Sequence, residues 1–125
     1  MTISSVSRPV ISVDLKKHRI RIHKHTLHSI GNPDYVLLLV NPEERTLAVL
    51  CTDHSDPRAH KIIKLSSSNQ KCIELYSRSL VKNLHHLCNN WQDNQSYRLY
   101  GEIIQNEGVA QFHMDEFVLV SRAKS

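Results

Sequence analysis

Five cations and four histidines fall within thirteen residues: Lys16, Lys17, Arg19, Arg21 and Lys24, with His18, His23, His25 and His28. No acidic residue interrupts them. Such a stretch, "KKHRIRIHKHTLH", suits contact with phosphates, which needs only several cations on one exposed surface. The whole chain carries +4 with His neutral and the stretch alone +5, so the remainder is nearly neutral. A polyanion is the partner this distribution favours. The plainer alternative is a solvated strand face, where Lys commonly protects a sheet edge.

Other chemistry is weaker. His23 and His25 flank Lys24, but the neighbouring cations oppose a dication. "DHSD" (53–56) with His60 offers mixed ligands, and His85 lies one helical turn from Cys88. None has structural-zinc spacing, so neither a metal nor a cofactor is expected. Cys51, Cys72 and Cys88 are odd in number and lack C-x-x-C spacing, which fits buried thiols in a reducing compartment. There is no G-x-S-x-G, P-loop, dinucleotide fingerprint or H-E-x-x-H, and only three glycines. Cys88 beside His85 and His86 sits in an apolar helical stripe and reads as core. No catalytic residue is expected, and the chain is read as a non-enzyme. A weaker third reading is a metal-dependent hydrolase using His and Asp of the central loop.

These residues must be positioned by a small domain. A chain of 125 residues, 40% hydrophobic and 22% charged, suits one globular unit spanning 1–125. "VISVD" (Val10–Asp14) and "RIRIH" (Arg19–His23) alternate at period two, placing Ile20 and Ile22 on one side and Arg19, Arg21 and His23 on a wet side. "KHTLHSIG" predicts a short helix stopped by Gly31. "YVLLLV" and "TLAVLC" predict a hairpin about "NPEERT". "TDHSDPRAH" reads as a loop, "KIIKL" as a further short strand and "SSSNQ" as a flexible joint. After "CIELY", Leu80, Leu84, Leu87 and Cys88 predict a helix over Ser79–Asn89, with Ser77 or Ser79 as N-cap. "SYRLYGEII" and "VAQFHM" predict a second hairpin, and "FVLV" a closing edge strand. The N-terminus lacks the pattern of a signal peptide and "YVLLLV" is too short to span a bilayer, so a cytoplasmic protein is expected.

The order strand, helix, hairpin occurs twice, which predicts an internal repeat over 10–52 and 72–114. An offset of 53 matches Ile20 to Ile73 and Ile22 to Leu75. An offset of 62 matches Tyr35 to Tyr97, Leu37 to Leu99 and Ala48 to Ala110.

"HRIRIHKHTLHSIGNPDYVLLL" resembles the AbrB/MraZ-type swapped-hairpin domain. Arg19, Ile20, Ile22 and Lys24 follow its strand and the Lys after it. Leu27, Ile30 and Gly31 follow its short helix and stop, and Asp34 and Val36 its D-x-V entry to the next strand. His18 stands where the family has Gly, and His23 where it has Pro. The resemblance implies an α+β fold, mainly antiparallel, in which two swapped-hairpin-like halves form a small barrel with short helices. It also implies a DNA-binding transcriptional regulator, either a monomeric pseudo-dimer or a homodimer, with duplex DNA as partner. Arg19 and Lys24 inherit phosphate contact from the resemblance; Lys16, Lys17 and Arg21 join them by proximity and charge. The second half carries Glu74 among fewer cations, which leaves room for a non-catalytic protein-interaction module, a mobile-element accessory or antitoxin-like partner.

Overall fold

The structure is a computed structural model and describes residues 8–63, 71–104 and 107–120. Its strands are β1 (Val10–Asp14), β2 (Arg19–His23), β3 (Tyr35–Asn41), β4 (Thr46–Thr52), β5 (His60–Lys61), β6 (Cys72–Tyr76), β7 (Ser96–Ile104) and β8 (Val109–Leu119). Helix α1 (Lys24–Ser29) follows β2, and α2 (Arg78–Leu87) follows β6. All strand pairs are antiparallel, in the order β5-β3-β4-β8-β7-β1-β2-β6, and the sheet curls into a nearly closed barrel. The mainly antiparallel α+β class expected from the sequence is present.

Alternation explains why the barrel has a dry interior. Ile11 and Val13 of β1, Ile20 and Ile22 of β2, Ile73 and Leu75 of β6, and Leu99 of β7 all turn inward and are buried. Val36, Leu47, Val49, Ala110, Phe112 and Met114 fill the space from the other side. The helices seal onto this core through Thr26 and Leu27 of α1 and Val81 and Leu84 of α2. Thr26 Oγ1 also accepts the Val10 amide at 3.0 Å, tying α1 to the start of β1.

Helix α2 starts one residue earlier than its spacing predicts and stops two residues sooner. Ser77 is its N-cap, its hydroxyl accepting the Leu80 amide at 3.3 Å. At the other end the Arg45 guanidinium donates to the Leu87 carbonyl at 2.8 Å and reaches Asp115 at 2.8 Å. Of the described part of "KIIKL" (61–63) only Lys61 lies in β5, and the Ile62 amide donates to the Asp34 backbone carbonyl at 2.8 Å. Lys64, Leu65 and "SSSNQ" lie outside the described residues.

"FVLV" is not an edge strand. Its residues Phe117–Leu119 are the end of β8, which lies between β4 and β7; the outermost strands are β5 and β6. The β7–β8 register breaks between Leu99 and Gly101: Gly101 opposes Phe112, whereas Leu99 opposes Phe117. Strand β8 therefore bends across a corner, the kind of irregularity that closes a sheet on itself. Beyond the bend Phe117 stands edge-on to Trp91 and Tyr97, which stack with centroids 4.7 Å apart.

Gly101 is the residue the corner requires. A Cβ there would sit 2.2 Å from the Gln111 carbonyl oxygen and 2.7 Å from the Phe112 ring. The first contact is backbone and cannot move aside. Gly101→Ala is expected to destabilise the fold by about 1–3 kcal/mol or more, read as a lowered urea midpoint with an unchanged slope.

The turn Leu15–His18 between β1 and β2 holds His18 at φ +53°, a left-handed conformation that glycine adopts without strain. His18→Gly is expected to stabilise the protein by about 0.5–1 kcal/mol, the strain relieved less the added unfolded-chain entropy. Chemical denaturation of the two proteins side by side checks this.

Candidate nucleic-acid interface

The pairing of β7, β1, β2 and β6 fixes what their outer face presents. Two cross-strand rows run over all four strands, Ser96–Asp14–Arg19–Tyr76 and Arg98–Ser12–Arg21–Glu74, and beyond them stand the pairs Tyr100–Val10 and His23–Cys72. Arg98 and Arg21 flank Ser12 in the second row, and Glu74 stands beside Arg21.

The five cations read from the sequence do not share one environment. Lys16 and Lys17 lie exposed in the β1–β2 turn. Their backbone amides both donate to Asp14 Oδ1, at 2.9 and 3.1 Å, which holds the turn. Arg21 is exposed, but its Nε donates to Glu74 Oε2 at 3.1 Å. Lys24 opens α1 with its side chain in solvent and its amide donating to the Lys71 carbonyl at 2.9 Å.

Arg19 differs from the expectation of a wet Arg face. It is nine-tenths buried. Its Nη2 donates to Asp14 Oδ2 at 2.8 Å and its Nη1 to Glu74 Oε2 at 3.4 Å, while Nε has no partner. The reason is register: Asp14 is its direct neighbour on β1, and Glu74 lies diagonally across on β6. Two carboxylates brought from outside the basic stretch thus neutralise its most buried cation. Arg19 is a strut between three strands, and the exposed positive charge rests on Lys16, Lys17, Lys24 and part of Arg21.

Titration follows the same geometry. Burial pushes the Asp14 carboxyl up, but the Lys17 and Lys16 amides and the Arg19 guanidinium together hold it below its ordinary value. Burial likewise opposes Glu74, and the charges of Arg19 and Arg21 with the Tyr76 hydroxyl bring it below the usual range. His23 lies at the N-terminus of α1 without capping it. Its burial, with the nearby charges of Arg98, His25 and Lys71, holds its pKa below the ordinary 6.5.

Sequence reasoning missed Arg98 and Lys71, which join this face from the second half. The alternation of "SYRLYGE" turns Arg98 outward between buried Tyr97 and Leu99. Nothing in the chain order says that β7 lies against β1.

The remaining candidates are structural. Asp53 and Asp56 cap turns, accepting the amides of Ser55 and Arg58 at 2.9 and 2.8 Å. Among the described residues no group of three or more His, Cys, Asp or Glu is placed to hold a metal ion. The Cys88 thiol is buried, and burial pushes its pKa up, opposite to what an activated nucleophile needs. His85 Nε2 lies 3.0 Å from the Trp91 carbonyl oxygen.

The chain matches no known protein family, curated protein or solved structure. Among the described residues no helix is long and apolar enough to cross a membrane.

Proposed function

We propose that the chain is a non-enzymatic DNA-binding protein, a transcriptional regulator built from two swapped-hairpin halves. The observation that carries the binding reading is the outer face just described. Lys16, Lys17, Arg21 and Lys24 are joined there by Lys71 and Arg98, with Asp14 and Glu74 engaged by arginines. β2 has five residues, so Lys17 and Lys24 stand at most about 23 Å apart. That span covers about seven phosphates of one DNA strand along the helix axis.

The two-halves architecture draws support from the strand order. Exchanging β1 with β5, β2 with β6, β3 with β7 and β4 with β8 returns the same strand neighbours read backwards at every junction but one, β1–β2, whose image β5–β6 is the opening of the barrel. A two-fold axis has this effect. Under it β2 pairs with its own counterpart β6 and β4 with β8, while β1 lies against β7, the hairpin strand of the other half. The hairpins correspond at an offset of 63: Asn41 and Thr46 end the first ladder, Ile104 and Val109 the second. The offset of 62 taken from the sequence differs from this ladder alignment by one residue. With 63, buried Val36, Leu47 and Val49 meet buried Leu99, Ala110 and Phe112.

Fluorescence anisotropy with a labelled duplex, wild type against Lys16→Ala/Lys17→Ala, tests the reading. No binding at about 50 mM salt would remove it. Because His23 is held below 6.5, its charge arrives late on acidification. Duplex affinity is therefore expected to keep rising as pH falls below about 6.5, and His23→Gln to blunt that last part of the rise.

A second reading, a protein-binding module, is favoured by Tyr76, which is 64% exposed on the outermost strand β6. An unpaired edge strand can accept a partner strand.

A further inference from the structure

On the outer face of β7, β1 and β2 a cleft of about 100 Å³ is lined by Ser12, Asp14, Arg19, Arg21, Ser96, Arg98 and Val120. We propose that this cleft is a seat for a single phosphate group, with Arg98 and Arg21 as its arms and the Ser12 and Ser96 hydroxyls as its floor. The proposal stands on the cleft alone and does not require that the protein bind DNA.

The charge in the cleft is unbalanced in a particular way. Three guanidiniums and one carboxylate line it. Asp14 is engaged, accepting from two backbone amides and from Arg19. Arg19 is held in turn by Asp14 and Glu74. Arg21 commits only its Nε to Glu74, which leaves both terminal nitrogens available. The Arg98 side chain makes no hydrogen bond or ion pair with any described residue, although the residue is partly buried. Two guanidiniums with unused donors thus face one another across Ser12.

Their spacing is set by the sheet. Arg98 and Arg21 are both direct cross-strand neighbours of Ser12, so their Cα atoms are about 10 Å apart. A tetrahedral oxyanion between them can accept paired N–H donors from each side, the arrangement in which arginine binds phosphate best. Ser12 and Ser96, on the same face, supply neutral donors for the remaining oxygens. Size argues against anything larger. The volume corresponds to about three waters and falls well below the several hundred Å³ of pockets that hold whole small molecules. One phosphate enters and the rest of its carrier stays outside. Under the strand exchange described above, Arg21 corresponds to Glu74, so the other half lacks this pairing of arginines.

Isothermal titration of the full chain with inorganic phosphate, ionic strength matched with chloride, tests the seat. The expected result is one phosphate per chain with a dissociation constant of about 1 mM, weakened about tenfold or more by Arg98→Gln. Lys16→Ala leaves it unchanged. Ser12→Asp, which puts a carboxylate between the two arginines, is the second variant should Arg98→Gln fold poorly, and it abolishes binding. No saturable binding up to about 20 mM phosphate, or binding indifferent to both variants, overturns the proposal. The source of the phosphate is read by competition. If it is a DNA backbone group, saturating phosphate and Arg98→Gln both weaken duplex binding. If it is a small phosphorylated molecule, neither does, and a sugar phosphate competes with inorganic phosphate. Either result upholds the seat, and failure of duplex binding alone leaves it standing.

Discussion

Raising salt from about 50 to about 200 mM is expected to weaken duplex DNA binding by roughly two to three orders of magnitude. Lys16, Lys17, Lys24 and Lys71 are exposed, and Arg21 is exposed with one nitrogen engaged. Four to five phosphate contacts give a log–log salt slope of about −4, and a fourfold rise in salt then costs about 250-fold in affinity. Lys16→Ala and Lys17→Ala should each flatten the slope by about one unit, with little change in stability. Arg19 should behave differently. Its charge is already met by Asp14 and Glu74, so releasing it from the count changes the slope little, whereas removing it damages the fold. Lys124→Ala is the comparison, with no change expected. Equal effects of Lys16→Ala and Lys124→Ala would mean that the basic stretch is only a solvated face.

Asp14→Ala is expected to cost about 3–5 kcal/mol, because it strands a buried guanidinium whose nearest partner is gone. The same carboxylate holds the β1–β2 turn through the Lys16 and Lys17 amides. Asp14→Asn keeps an acceptor for those amides and removes only the charge, so it should cost less than the alanine variant. Replacing the pair together, Asp14→Asn with Arg19→Met, should recover much of the loss, since an apolar side chain of similar volume does not need the counter-charge. Urea denaturation of the four proteins decides it. Acid supplies an independent check. The Asp14 carboxyl lies below its ordinary 3.8 in the folded state, so its contribution is fully present above that value and is lost as pH falls through the lower, folded value. Wild type should therefore lose stability below pH 3.8 more steeply than Asp14→Asn, which has no such proton to take up. Equal acid profiles would mean that Arg19 and Asp14 merely lie near each other.

These two experiments separate the roles of neighbouring cations that look alike in the sequence. Lys17 and Arg19 are two residues apart and carry the same charge. One projects from a turn into solvent; the other is enclosed between β1 just before it and β6, whose Glu74 arrives from 55 residues further along.

Much of the fold was legible because period and turn chemistry are local. The alternation of "VISVD" and "RIRIH" marked two strands and placed Ile20 and Ile22 together on one side, and both are buried. Ser77 and the leucines after it marked α2, since a cap and an apolar stripe require only residues within three turns of each other. The concentration of cations between Lys16 and Lys24 was equally plain. Which of those cations remain free was decided only by tertiary structure. Alternation assigns a side chain to a face but cannot name the strand beside it, and here that strand brings Asp14 and Glu74 to Arg19, and Arg98 to Ser12. The bend at Gly101 escaped the sequence reading for the same reason. A single glycine within an otherwise alternating strand signals a close approach but not its partner, and only the chain folded back on itself puts Gln111 against it.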